Sequence, residues 1–376
     1  MFSADCFVPD LIILDGTLMV MLTRLSMRLA APVLLLSLAG CNSVGYYSQA
    51  VGGHLKLMRA RQPIVEVLAD ESTSPELRQK LQTLMEARKF AVTELGLPDN
   101  DSYSTFVETG RSAVTWNVVA AEEFSVNAKT WCFPVAGCVS YRGYFDRDDA
   151  DDYAKRLAEE NFDVTVGGAS AYSTLGWFDD PILDTMLRGS DTRYVSTLFH
   201  ELAHQVLYVK DDSDFNEAFA SFVEQIGTRK WLVDRGEAER IDAYDLSLQR
   251  GEDFVKLLKV TREALQATFG KSIDEQAMRA EKADVFNKMR DDYESLKESW
   301  GGYSGYDNWF KRDLNNARLV AVSTYRRFVP AFFAMYLEAE EDINRFYDIA
   351  RIAAELPFHE RREHMNAYLA ALRATS

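Results

Sequence analysis

The stretch His200-Glu201-Leu202-Ala203-His204 decides how this chain is read, together with Asp214-Phe215-Asn216-Glu217-Ala218-Phe219-Ala220 a short way downstream. On an α-helix, residues four apart are separated by about 40° of arc, so His200 and His204 can offer ring nitrogens to one ion. Glu201 lies about 100° further round the same turn, beside the ion, where a carboxylate can take a proton from an activated water. Two histidines leave a metal underliganded. Glu217, thirteen residues beyond His204, is the natural third donor.

The surrounding pattern is helical. Val195, Leu198, Phe199, Leu202 and Val206 recur at helical spacing, Ser190 or Asp191 can cap the start, and Lys210 with Asp211-Asp212-Ser213 closes the element. A second helix is expected to open near Asp214. Its Ala218, Phe219, Phe222, Val223 and Ile226 form an apolar stripe, while Glu217, Ser221 and Glu224 share another face. Small Ala203, Ala220 and Ser221 allow close approach, and the short connection makes an antiparallel pair that returns Glu217 to the histidines. The plainer reading of Glu217 is a capping box with Asp214. Against it, the chain has five histidines, and two of them fall four apart around a glutamate on an otherwise apolar helix.

These residues resemble the gluzincin metallopeptidases, whose aminopeptidase branch carries its third ligand in an Asn-Glu-Gly-Phe-Ala type segment, here Asn216-Glu217-Ala218-Phe219-Ala220. Trp131-Cys132-Phe133-Pro134-Val135-Ala136-Gly137-Cys138, Tyr141-Arg142-Gly143-Tyr144-Phe145, Ala171-Tyr172-Ser173-Thr174-Leu175-Gly176-Trp177-Phe178, Leu314-Asn315-Asn316-Ala317 and Val329-Pro330-Ala331-Phe332 look like the zinc aminopeptidase family of bacterial lipoproteins. The resemblance implies one zinc ion on His200, His204 and Glu217, Glu201 as the general base, and peptides as substrates. Glu224 could accept the second ring N–H of a histidine. The match spans most of the mature chain.

Bulk composition sets the frame. A chain of 376 residues, 47% apolar and 27% charged, can bury a sizeable core and suggests two or so domains. A net charge of −16 without a basic patch argues against nucleic acid as a partner. Residues 1–26 fit poorly, because Asp5, Asp10 and Asp15 interrupt an apolar run; translation is expected to start at Met21 or Met27. Arg24, Arg28, the apolar run Leu29–Leu38 and Ala39-Gly40-Cys41 then read as a signal peptide. The run is shorter than the ~20 residues a membrane-spanning helix needs. Leu38-Ala39-Gly40-Cys41 resembles a lipobox, which implies acylation of Cys41; the alternative is a Sec signal with an incidental cysteine. Asn42 after it resembles lipoproteins sorted to the outer membrane, so the expected place is the periplasmic face of the envelope, held through an N-terminal lipid anchor. With Cys6 upstream and Cys41 lipidated, Cys132 and Cys138 remain as a pair. A disulfide suits an oxidising periplasm, and zinc is the competing use, for which no further cysteine or nearby histidine completes a set.

In chain order, residues 1–40 are upstream residues and signal peptide, and 41–100 an N-terminal helical segment; a zincin-like α+β core at 101–230 and a C-terminal helical domain at 231–376 follow. Helices are predicted over Tyr47–Leu68 and from Ser74-Pro75 to Glu94, with Gly96 and Pro98 as the stop. Strands are predicted over Val114–Ala120, Cys138–Phe145 and Val164–Ala171, with a helix over Asp149–Glu160. The fold class is therefore α+β, mainly helical, with a small mixed β-sheet preceding the zincin-type metal helix. By resemblance, an edge strand beside the metal pairs with extended substrate, and Val166–Tyr172, with Gly168, Ala169, Ser170, Ala171 and Tyr172 at its end, is the candidate, its Gly167-Gly168 reading equally as a bulge. Gluzincin aminopeptidases carry a glutamate there for the substrate's free amine, and this segment has none. Glu122, Glu123, Asp179 and Asp180 remain open as the anion, and an endopeptidase or a non-catalytic zinc lipoprotein stand as alternatives, though Glu201 has no use in the latter. Further on, helices are predicted over Ala238–Gly270, Asp274–Trp300, Lys311–Arg326, Pro330–Ala350 and His359–Ala374, with a break at Gly301–Gly305. Tyr303, Tyr306 and Tyr325 are candidate donors to an oxyanion, packing being their plainer role. His54, His359 and His364 read as structural or surface residues.

Overall fold

The computed structural model describes residues 45–133, 137–171, 178–322 and 327–375. Two compact units divide the chain at Leu55/Lys56. Residues 45–55 of the first are helical; the second carries everything that follows.

It opens with β1 (Gln62–Pro63), α1 (Ile64–Ala69) and α2 (Pro75–Leu95). Then come β2 (Thr105–Val107), β3 (Thr115–Glu122), β4 (Trp131–Phe133), β5 (Gly137–Val139), β6 (Arg142–Tyr144), α3 (Arg147–Glu159), β7 (Phe162–Ala169) and β8 (Ile182–Leu183). The remainder is helical: α4 (Asp191–Ala203), α5 (Ser213–Asp234), α6 (Ile241–Phe269), α7 (Glu275–Ser299), α8 (Asp307–Phe310), α9 (Asn316–Ala321), α10 (Val329–Glu338), α11 (Ile343–Glu355) and α12 (Phe358–Thr375). The protein is thus α+β, mainly helical with small sheets, as its sequence patterns predict.

Three small sheets form. β1-β2-β8 is mixed, β6-β3-β7 is antiparallel, and β4-β5 is a hairpin in which Cys132 faces Cys138 and the two are joined by a disulfide. In the central sheet Asn117 pairs with Gly167 and Val118 with Val166, leaving β7 at an edge. Arg147 of α3 lies 4.6 Å over the Trp116 ring, which puts α3 on the face carrying Trp116 and Tyr144. The opposite face meets the α9 segment. There Asn316 donates from Nδ2 to the carbonyls of Glu122 and Glu123 at 3.1 and 2.8 Å, and its own N–H reaches Asp163 at 2.8 Å.

Two apolar clusters hold the helices. The larger gathers α2, α4, α5, α10 and α11 around Phe199, Phe219, Phe332 and Phe346, with the Phe219 and Phe346 rings stacked at 5.9 Å. Each such ring contributes about 1.5–3 kcal/mol by leaving water. The smaller joins α6, α7 and α8 through Phe254, Leu258, Tyr293 and Phe310. Close approach in the first depends on Gly227 of α5, where a Cβ would stand 2.6 Å from Leu95 and 3.1 Å from Phe199.

Several predicted boundaries are corrected. The helix expected over Tyr47–Leu68 is interrupted at Gln62–Pro63, where proline removes a donor and restrains the residue before it. Cys138–Phe145 is two strands in different sheets. The Lys311–Arg326 helix shrinks to Asn316–Ala321, opened by the Asn315 side chain, which accepts from the Arg318 N–H at 2.9 Å; residues 323–326 are outside the described set. Pro330–Ala350 divides in two at Glu340 and Glu341, whose φ angles of 56° and 62° reverse the chain so that α11 packs back on α5.

Candidate metal centre

Ser190 Oγ accepts from the Arg193 N–H at 3.3 Å and starts α4. The helix stops at Ala203 with His204 as its C-cap, earlier than the apolar spacing through Val206 predicts. Asn216 explains the stop. Its side chain accepts from the Val209 N–H at 2.8 Å and donates to the Val209 carbonyl at 2.7 Å, satisfying loop backbone that would otherwise continue the helix. The cap of α5 is Asp212, not Asp214: its Oδ1 accepts from the Phe215 N–H at 3.3 Å. The same buried carboxylate receives the Arg361 Nε at 2.7 Å from α12, and Arg362 pairs with Asp214 at 2.7 Å. The last helix thereby clamps the first turn of the helix that carries Glu217.

This scaffold brings His200, His204 and Glu217 together, with donor atoms all within 4.8 Å of one another. Nε2 of His200 and Nε2 of His204 are 3.2 Å apart, His200 Nε2 is 3.3 Å from Glu217 Oε2, and His204 Nε2 is 3.6 Å from Glu217 Oε1. Donors held about 2.0–2.1 Å from a tetrahedral ion stand about 3.3–3.4 Å from each other. The Nε2–Nε2 separation matches that spacing, and the Glu217 carboxylate lies across both imidazoles, one oxygen near each ring. Glu224, two helical turns beyond Glu217, meets His200 Nδ1 at 3.0 Å and holds that ring; His204 is held by burial, at 6% exposure.

The electrostatics describe a cluster that wants a cation. Burial pulls the His200 imidazole down, but hydrogen bonds to Glu217 and Glu224 outweigh it and push its pKa up to about 10. Burial and then the neighbouring His200 charge drive His204 down to about 4. Burial works to raise Glu217, yet the His200 hydrogen bond and the His204 charge keep it below the usual carboxylate value. Glu201 is pushed up to about 7, by burial first; His200 opposes the rise, and the charges of Glu217 and Asp180 add to it. Without a metal, a proton on His200 supplies the positive charge that the carboxylates demand.

The other sequence candidates distribute differently. Tyr303 lies beneath the Arg250 guanidinium and Tyr306 stacks on Phe254 at 4.3 Å. Tyr172, Tyr325 and Cys41 fall outside the described residues. Gly168 and Ala169 end β7, while Ser170 and Ala171 lie beyond it, Ser170 offering its carbonyl to Thr185 Oγ1 at 2.6 Å; the strand thus ends sooner than predicted. Glu123 is engaged by Arg279 at 2.6 Å and Asp179 is exposed, whereas Asp180 is fully buried and its charge reaches Glu201. Asn216, Asp180 and Arg361 were not singled out for these roles by spacing, because the partners of the last two are distant in sequence.

The open edge of β7 can be read from its pairing. Ala120 turns its carbonyl away from β7, to the Lys129 N–H at 2.8 Å, and Val164 turns its own outward, to Asn315 Nδ2 at 3.0 Å. Alternation then directs the backbone groups of Val166 and Gly168 outward as well.

The family model described as "Putative aminopeptidase" matches residues 45–365. The chain belongs to this aminopeptidase family. Membership supports a peptidase function at a coarse level, and the matched span includes the metal cluster, Glu201 and β7. No match to this family member is found among curated proteins or among solved structures.

Proposed function

We propose that this member of the aminopeptidase family is a zinc-dependent peptidase of gluzincin type, with His200, His204 and Glu217 as ligands of one zinc ion and Glu201 as general base. The observation that carries the reading is the convergence of His200, His204 and Glu217, one donor atom of each within 4.8 Å of the others, beside the Glu201 carboxylate of the same helix. Zinc in such a site supplies Lewis acidity, which acidifies water and polarises a carbonyl. Glu201 accepts the proton of the attacking water and returns it to the departing amine. Glu224 keeps the Nδ1 proton of His200 in place, so that Nε2 points at the ion.

An extended peptide adds to the outward edge of β7 through Val166 and Gly168. Among the acidic candidates, Asp180 is fully buried and its charge reaches Glu201. The family description makes aminopeptidase action the preferred reading over endopeptidase action. Acylation of Cys41 would hold the enzyme at the periplasmic face of the outer membrane.

The test combines metal analysis with a Glu201→Gln variant assayed on free-amine and N-acetylated peptides. One zinc per chain, a folded but inactive variant and selective cleavage of free-amine peptides are expected. Undiminished hydrolysis by Glu201→Gln would refute the base, and equal cleavage of N-acetylated peptides would turn the reading to an endopeptidase.

A further inference from the structure

We propose that the groove over the β3/β7 face, which reaches Val166 and Gly168 of β7, is a carboxylate-binding subsite in which Arg312 and Arg318 receive an acidic group of an extended peptide. The proposal rests on the peptidase reading and adds to it a substrate class.

The groove, of about 520 Å³, lies between the β3/β7 face that carries Asn117 and Thr165 and the chain segment from Asn308 to Val322. Among the described residues no acidic side chain lines it, in a protein of net charge −16. Elsewhere in the same region cations are matched: Arg279 with Glu123 at 2.6 Å, Lys282 with Asp163 at 2.6 Å, Lys297 with Asp307 at 2.9 Å. Arg312 and Arg318 form no ion pair among the described residues. Arg318 is 7% exposed and fastened in place, donating from Nε and Nη2 to the Trp309 carbonyl at 3.2 and 2.8 Å, with its guanidinium 4.7 Å over the Trp309 ring. Its Nη1 has no acceptor among the described residues. Burial, and then the like charge of Arg312, lower the pKa of Arg318 from its usual value. A buried cation beside a second cation is costly unless an anion completes the group.

The position of the pair specifies the ligand. Val166 and Gly168, whose backbone faces outward, line the groove, and a Cβ on Gly167 would meet nothing within 4 Å. A peptide paired to this edge points alternate side chains to the face where the guanidiniums stand. A carboxylate there accepts charge-assisted hydrogen bonds from a preorganised fork. Two sources present that chemistry, an aspartate or glutamate side chain and a peptide's C-terminus.

The experiment uses the full chain, zinc-loaded, in the Glu201→Gln background, with binding of fluorescent Ala/Ser peptides followed by anisotropy. The peptides carry one Glu or one Gln at successive positions, each as free acid and as C-terminal amide. A carboxylate in the right position is expected to tighten binding by about tenfold or more, an effect sensitive to salt. Retention of the gain in Glu-containing amides assigns the side chain as source, and its restriction to free acids assigns the terminus. Adding the Arg312→Glu change, at an exposed position, is expected to abolish or invert the preference. Equal binding of all four peptide types, no binding of any, or a preference that survives Arg312→Glu overturns the subsite. Wild-type cleavage of neutral peptides alongside such a result leaves the peptidase reading standing, whereas acidic preference without cleavage of any peptide overturns that reading alone.

Discussion

The metal cluster and the groove along β7 are both concentrations of charge inside a strongly acidic protein, and they are assembled in opposite ways. The cluster draws His200, Glu201, His204, Glu217 and Glu224 from two consecutive helices. The groove sets Asn117 and Thr165 against Arg312 and Arg318, residues from distant parts of the chain. Local spacing can announce the first kind of site, because helix geometry alone brings its members onto one line. Only a fold can announce the second. The two are also opposite in charge logic: carboxylates at the cluster call for a cation, and guanidiniums at the groove call for an anion.

Metal removal is expected to have the largest effect at the first site. Dialysis against a chelator should take peptide hydrolysis to background and zinc should restore it; activity persisting in protein shown to be metal-free would break the contrast at its root. Next, Glu201→Gln should lower kcat by about 100- to 10,000-fold with zinc content unchanged, as expected for loss of a general base. The cluster is local but its support is not, and Arg361→Ala measures that. It removes the closer of the two guanidiniums on buried Asp212, leaving only Arg362 at 3.8 Å, and should cost about 1.5–3 kcal/mol, read by urea denaturation; an unchanged midpoint would mean that Arg361 does not brace the Glu217 helix. Glu224→Ala should weaken zinc binding by about 10- to 100-fold in a competition titration, because His200 loses the acceptor at 3.0 Å that orients it.

The smallest effect is a slope with pH. In metal-free protein the His200 pKa is raised from 6.5 to about 10, so its stabilising contribution is fully present below 6.5 and lost as pH rises through 10. The melting temperature of the metal-free form should therefore fall across that window more steeply in the wild type than in His200→Gln. Parallel slopes would show that His200 does not hold the proton that stands in for the cation.

Much was legible before any coordinates. The metal helix, its Ser190 cap, the apolar stripe of α5 and the α+β class follow from periodicity and capping chemistry, which act over a few residues. The errors lie where a distant side chain overrides local preference. Helix α4 ends at His204 because Asn216 captures the loop, and α10 turns into α11 at Glu340 and Glu341 so that Phe346 can stack on Phe219. Tyr306 packs against the second apolar cluster and Tyr303 lies beneath the Arg250 guanidinium, placements that no periodicity announces.

The sequence by itself therefore determined which atoms could hold a cation, since a four-residue step on a helix is a distance. Tertiary structure alone decided that Glu217 comes within 3.6 Å of both imidazoles, that Asp180 lends its charge to Glu201, and that Arg318 is shut in over the Trp309 ring with no ion pair among the described residues. Each of those depends on packing between elements whose order along the chain says nothing of their distance in space.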